Sequence, residues 1–195
     1  MNYVWYVGYG SNLLRERFLS YIQGGSFRLG GRKYQGCKDK TPPVDNELTT
    51  IAGKMYFAKN SSSWFGGGIA IIKDFSSEEA NNGKVFARMW KISEEQFDCV
   101  RDQEGRSWYD MPINLGEHSD GSKIVALTSS RQLSPSKPSK EYLSTIALGL
   151  REAFGMGNKE IKDYLRGMSG IVGFYSEGEL DSLFLQSSSM YLVFP

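Results

Sequence analysis

Apolar and aromatic residues fall into short runs along the chain, separated by turns rich in glycine, proline, serine and acidic residues. Tyr3, Val4, Trp5, Tyr6 and Val7 form the first run. Their β-branched and aromatic character predicts a buried strand. Gly8 and Gly10 interrupt it, and Ser11 and Asn12, both good helix N-caps, lead into Leu13, Leu14 and Arg15, where a helix is expected. Further strands are predicted near 26–29, over 49–58, through the glycine-rich run 64–72, over 85–92, from Trp108, Tyr109 and Met111 onward, and over 123–129. The stretch 38–47, with its Pro-Pro pair, predicts an exposed loop, and 76–83 a polar turn.

Ser93, with Gln96 three residues on, is a capping box that opens a short helix ending in Asp102, Gln103, Glu104 and Gly105. Two more helices are predicted over 141–154 and 159–166, each closed by glycines. From residue 171 onward apolar runs mix with three serines, and the pattern does not choose between core, edge cover and partner surface. Many short strands, one early helix and helices gathered toward the C-terminus predict an α+β fold. We expect one catalytic unit over 1–155 and a helical, apolar extension over 156–195 packed on it.

Composition narrows the function classes. The chain has 195 residues, 40% hydrophobic and 23% charged, with a formal net charge of +1. That is ordinary for a globular domain and gives no pull toward nucleic acid or anionic membrane. No apolar run is long enough to span a bilayer, so a cytoplasmic protein is expected. Cys37 and Cys99 are too few for a zinc site or a disulfide framework and are expected to be idle thiols. His118, the single histidine, falls in a polar hairpin turn and is a poor triad base. Asn60 fits a glycosylation pattern that is inert in the cytoplasm.

The turn after the first strand is the first place with chemistry. A strand, a glycine turn and a helix start would gather backbone N–H groups around one anionic group. A dinucleotide fingerprint wants a third glycine where Leu13 stands, and a P-loop wants a Gly-Lys-Ser/Thr ending that is absent. An ordinary strand end with a turn is the plain alternative.

The string YGSNL at 9–13 following that strand resembles the γ-glutamylcyclotransferase family. So do, in the same order, WFGGGIA at 64–70, VFARMWKI at 85–92, DQEG at 102–105 and SPSKPSKEY at 134–142. The resemblance implies a small mixed β-barrel with helices packed around it. It also implies cyclisation of a γ-glutamyl amino acid, peptide or amine to 5-oxoproline by attack of its own α-amine on the γ-carbonyl. It makes Glu104 the acid/base, with Asp102 as the neighbouring carboxylate. For that chemistry the amides of Gly10, Ser11, Asn12 and Leu13 would anchor the substrate carboxylate, Tyr9 or further loop amides are candidate donors to the developing oxyanion, and Tyr109 and Tyr142 resemble family tyrosines expected to contact substrate. No cofactor or metal is implied, the partner is a small molecule, and a homodimer is allowed. A binding module without turnover, or a hydrolase of a related amide, are the alternatives.

Overall fold

The computed structural model describes residues 2–73 and 83–193; of the expected polar turn, residues 76–82 lie outside the described residues. Strand β1 (Tyr3–Gly8) is central in a five-stranded sheet, antiparallel to β7 (Lys84–Ser93) and parallel to β9 (Lys123–Thr128). Antiparallel strands β4 (Asp45–Ala52) and β8 (Met111–Glu117) flank them, giving the order β4-β7-β1-β9-β8. Successive side chains on a strand point to opposite faces, so β1 feeds two apolar layers. Trp5 and Val7 join the main core with Leu143, Ile146 and Leu150 of helix α3 (Lys140–Phe154). Val4 and Tyr6 join a second cluster with Phe18 and Ile22 of α1 (Arg15–Gln23), Trp90, and Val100 of α2 (Glu94–Glu104). Burial on both faces explains why the run is apolar throughout rather than alternating.

The α+β class holds, but the barrel does not close. The single strand expected over 49–58 is two strands, because Gly53, at φ 148°, turns the chain between β4 and β5 (Lys54–Ser61). Strand β5 pairs with β6 (Gly67–Lys73) as a separate hairpin sheet. It meets the main sheet through Thr128, whose hydroxyl donates to the Ile72 carbonyl (2.7 Å) and accepts from the Ile72 N–H (3.3 Å). A side-chain bond there replaces the strand ladder that closure requires. The strand expected near 26–29 shrinks to β2 (Gly25–Ser26), paired with β3 (Lys33–Tyr34).

The C-terminal part, whose role the apolar pattern left open, is helical and packs on the core. Residues past 176 form helix α5 (Glu177–Val193), which buries Leu180, Leu183, Phe184 and Ser187 on one stripe. Ser187 completes that stripe as a polar member: its hydroxyl accepts from Arg151 Nη1 of α3 at 3.0 Å. Helix α4 (Asn158–Leu165) links the two, closing its first turn with a bond from the Gly157 N–H to the Glu160 carboxylate. No helix among the described residues is long and apolar enough to cross a membrane.

The cysteines are not idle thiols. Cys37 and Cys99 form a disulfide that ties the segment before β4 to α2. Gln96 supports the same tie, donating to the carbonyls of Thr41 (2.9 Å) and Asp39 (3.3 Å) while its backbone closes the capping box with Ser93. Sixty-odd residues of separation hid a pairing that only the folded arrangement brings within bonding reach.

The turn after β1 seats against α3 because Gly149 has no side chain: a Cβ there would stand 2.6 Å from Leu13 Cβ and 2.7 Å from Leu14 N. Gly149→Ala should therefore destabilise the protein by about 1–3 kcal/mol, read from its urea midpoint. Reducing Cys37–Cys99 should cost up to about 4 kcal/mol from the loop it closes, measured as a lower thermal midpoint with reductant than without.

Candidate active site

The site forms where β1 ends. A Cβ at Gly8 would lie 2.7 Å from Asn12 Cβ, and one at Gly10 would lie 2.8 Å from the Tyr142 hydroxyl. Both positions must therefore be bare for the chain to fold back on itself. It does so in a single 3₁₀ turn, Ser11–Leu13, after which Leu14 is extended and α1 begins at Arg15. The expected helix directly after the turn is thus broken. The Leu13 N–H donates to the Gly10 carbonyl (3.1 Å) and the Leu13 side chain is buried in the core, so Leu13 is not a ligand contact.

Asn12 acts through its side chain. Its Nδ2 donates to Glu104 Oε1 at 2.5 Å and to the Tyr6 hydroxyl at 2.9 Å, and that hydroxyl lies 3.3 Å from the same carboxylate oxygen. The Asn12 carbonyl accepts from Trp90 Nε1 (2.9 Å), which pins the turn to β7. Asn12 Oδ1 is buried and has no protein donor, so one acceptor stands open beside the carboxylate. Glu104 arrives as the last residue of α2, which ends at Gly105 with φ 91°.

The tyrosines divide their roles. Tyr9 donates its hydroxyl to the Leu127 carbonyl (2.7 Å), so the oxyanion role expected of it is not open. The Tyr109 hydroxyl donates to the Ala70 carbonyl (2.9 Å), while the Tyr142 hydroxyl accepts from the Ala70 N–H (3.0 Å). Tyr142 therefore keeps its own proton for an acceptor in the site. Burial, first of all, pushes its pKa up to about 12, and raises those of Tyr6, Tyr9 and Tyr109 as well, with the Glu104 charge adding to each. All four stay neutral at physiological pH.

Ser11, Glu104, Tyr109 and Tyr142 border both a small inner recess, which Tyr6, Tyr9, Gly10 and Asn12 complete, and an outer cleft of about 430 Å³. The expected site residues other than Leu13 are thus brought together. Tyr6 was read only as a strand residue, and the outer-cleft residues Arg32, Lys59 and Trp108 carried no motif. Asp102 borders the outer cleft but is paired with Arg106 at the surface. His118 lies elsewhere, beside Trp5 and between Glu47 (3.2 Å) and Asp120 (3.3 Å). No cluster of metal-ligating side chains occurs among the described residues.

No protein-family model matches the chain. Among curated proteins it is similar to histone deacetylase 5 of Arabidopsis thaliana, 28% identical over 205 residues, a match that takes in 83% of this chain and 30% of that protein. The chain thus spans under a third of the length of that relative. Among solved structures, a γ-glutamyl cyclotransferase superposes with a TM-score of 0.57 at 20% identity, covering 95% of this chain and 99% of the other. The chain has the γ-glutamyl cyclotransferase fold. An uncharacterized protein from Homo sapiens gives the same TM-score at 21% identity over 94% of this chain and 99% of its own. YkqA from Bacillus subtilis gives 0.51 at 13% identity, over 97% of this chain and 55% of its own.

Within this γ-glutamyl cyclotransferase fold, the outer cleft holds a perturbed base. The Lys59 ammonium sits 3.7 Å from the centre of the Trp108 ring, and burial brings its pKa down to about 8, against the opposing pull of Glu104. Since the unfolded lysine titrates near ~10.4, the unfolded chain holds more protons between these values. Stability from this group should rise as pH climbs through that window. In a ¹³C-labelled-lysine titration, one ε-methylene signal should move near pH 8 and vanish in Lys59→Met.

Proposed function

We propose that the protein is a γ-glutamyl cyclotransferase-type enzyme, converting a γ-glutamyl amino acid, peptide or amine to 5-oxoproline and the free amine. The observation that carries this reading is the 2.5 Å bond between the Asn12 amide and the Glu104 carboxylate at the inner end of the cleft. It joins the turn expected to hold the substrate to the group expected to move its proton.

The chemistry follows from the groups present. An α-ammonium has no lone pair, so Glu104 takes one of its protons. The freed nitrogen attacks the γ-carbonyl carbon, a C–N bond forms, and the carbonyl electron pair moves onto oxygen. Tyr142, with its donor uncommitted, is the residue we assign to that oxyanion in place of Tyr9. Collapse of the adduct breaks the amide C–N bond, and the leaving nitrogen takes its proton from Glu104. The ring nitrogen sheds its second proton to solvent, and the released amine gains one there, so the charges balance.

The open Asn12 Oδ1 is suited to accept from the α-ammonium, and the main chain at 10–12 to hold the α-carboxylate. Both reacting groups belong to one molecule, so holding the substrate folded can contribute ~7 kcal/mol or more. The same reading gives a cytoplasmic enzyme, able to form a homodimer, with a catalytic unit over 1–155 and a C-terminal extension over 156–195 packed on it. In a reducing compartment the Cys37–Cys99 pair would meet a thiol pool.

Purified protein given γ-glutamyl compounds should release 5-oxoproline. Glu104→Gln should remove the activity with the fold kept by circular dichroism, and Tyr142→Phe should lower kcat by about 10²-fold. Free glutamate in place of the lactam would point to hydrolysis, and binding without product to a non-catalytic module.

A further inference from the structure

Building on the cyclotransferase reading, we propose that the Cys37–Cys99 disulfide is a redox latch on the site: closed, it holds Glu104 in its working position, and a thiol reductant that opens it slows cyclisation. The route from the sulfurs to the carboxylate is short. Cys99 and Gln103 stand four residues apart in α2 and so share a face of it, and Glu104 follows directly as the last residue of that helix. The Gln103 side-chain nitrogen lies 3.2 Å from Cys99 Sγ and 3.8 Å from Cys37 Sγ, and it donates to the Tyr21 carbonyl at 2.8 Å. Its backbone carbonyl accepts from Arg32 at 2.6 Å. The disulfide therefore walls in the side chain that fastens the final turn of α2 to α1, one residue before the base.

Opening the bond changes what surrounds Gln103. The Cys37 sulfur stands 3.5 Å from the same Tyr21 carbonyl. In the disulfide that sulfur carries no proton, so it cannot donate there; as a thiol it competes with Gln103 for the carbonyl. Gln103 Oε1 is buried with no donor, and reduced Cys99 brings an S–H beside that amide. Both changes favour release of the amide from Tyr21. The frame survives, because contacts that need no sulfur keep the segment in place: the Cys37 N–H donates to the Ile22 carbonyl (2.8 Å), and Gln96 donates to Thr41 and Asp39. Access is uneven, since Cys37 is buried and Cys99 only partly so. A thiolate attacks Cys99 Sγ, the S–S bond breaks and Cys37 leaves as the thiolate, after which a second thiol resolves the mixed disulfide. In sum two thiols are oxidised to a disulfide, and their two electrons and two protons end on the cysteines. A low-molecular-weight disulfide reverses the exchange. In a cytoplasmic setting a disulfide is ordinarily of this redox-responsive kind.

The test uses γ-glutamyl-alanine, which carries no thiol of its own, with circular dichroism recorded alongside each rate. Dithiothreitol should lower wild-type kcat for 5-oxoproline release by about tenfold or more with KM little changed, the mark of a misplaced acid/base group. Hydroxyethyl disulfide should restore the rate once the reductant is removed. The double variant Cys37→Ser, Cys99→Ser should keep the reduced rate with and without reductant. Gln103→Met, which retains both cysteines, should be slow in the oxidised state and respond little to reductant. An unchanged kcat once both cysteines titrate as thiols, or activity lost only where the far-ultraviolet signal is lost too, would overturn the latch and leave the disulfide a plain staple. Hydrogen exchange separates the latch from the reaction it rests on. Reduction should speed exchange of the amides at 100–105 by about tenfold or more while those of β1 hold. If wild type releases no 5-oxoproline yet that change appears, the cyclotransferase reading falls and the latch stands; unchanged exchange removes the latch.

Discussion

The bond from Asn12 to Glu104 spans 92 residues of sequence and is the constraint on which the site depends. One end belongs to the turn that leaves the central strand, the other to the last residue of α2, which packs against the Val4 and Tyr6 face of that strand. A carboxylate at a helix C-terminus faces the negative end of the backbone dipole, so it needs donors from elsewhere in the chain. Asn12 and Tyr6 supply them. Trp90 in turn holds the Asn12 carbonyl, so the donor is fixed from behind by the neighbouring strand.

The surroundings keep that arrangement rigid. Gly149 admits the turn against α3, and Gly8 and Gly10 admit it against its own strand and Tyr142. The two hydroxyls on the Ala70 peptide, Tyr109 on its oxygen and Tyr142 on its N–H, fasten the hairpin sheet to the same place. Arg17 is a buried cation on the far side, bonded to Ser20 and Tyr34 and lying 4.1 Å over the Tyr21 ring. Aromatic faces and hydroxyls in place of a carboxylate leave its charge to act on the site, where Glu104 is among the groups that feel it. The segment that carries Tyr34 is fastened to α2 by the disulfide, and Gln103 of α2 donates to the Tyr21 carbonyl of α1 (2.8 Å).

Much of the scaffold was legible because its signals are local. The apolar run of β1, the capping box of α2 and the glycine that closes α3 each specify a short stretch through its own backbone and solvent preferences. The misreadings came where a distant neighbour decides. The run 49–58 was read as one strand although its two halves pair in different sheets, and the tail past 176 was left open because only the fold shows that Ser187 lies in a buried stripe against Arg151. The cysteine pair and the broken helix after Leu13 are of the same kind.

For the site, the sequence by itself determined which residue types are present and their order: a glycine turn after a buried strand, and a glutamate closing a capped helix. Those follow from conformational preferences felt over a few residues. Which donors reach that glutamate, that Tyr9 is spent on Leu127 while Tyr142 remains free to donate, and that Lys59 stands partly buried over Trp108 were decided by the tertiary structure alone. Hydrogen bonds and burial depend on distances across the fold, and residues far apart in the chain carry no local sign of who their neighbours will be.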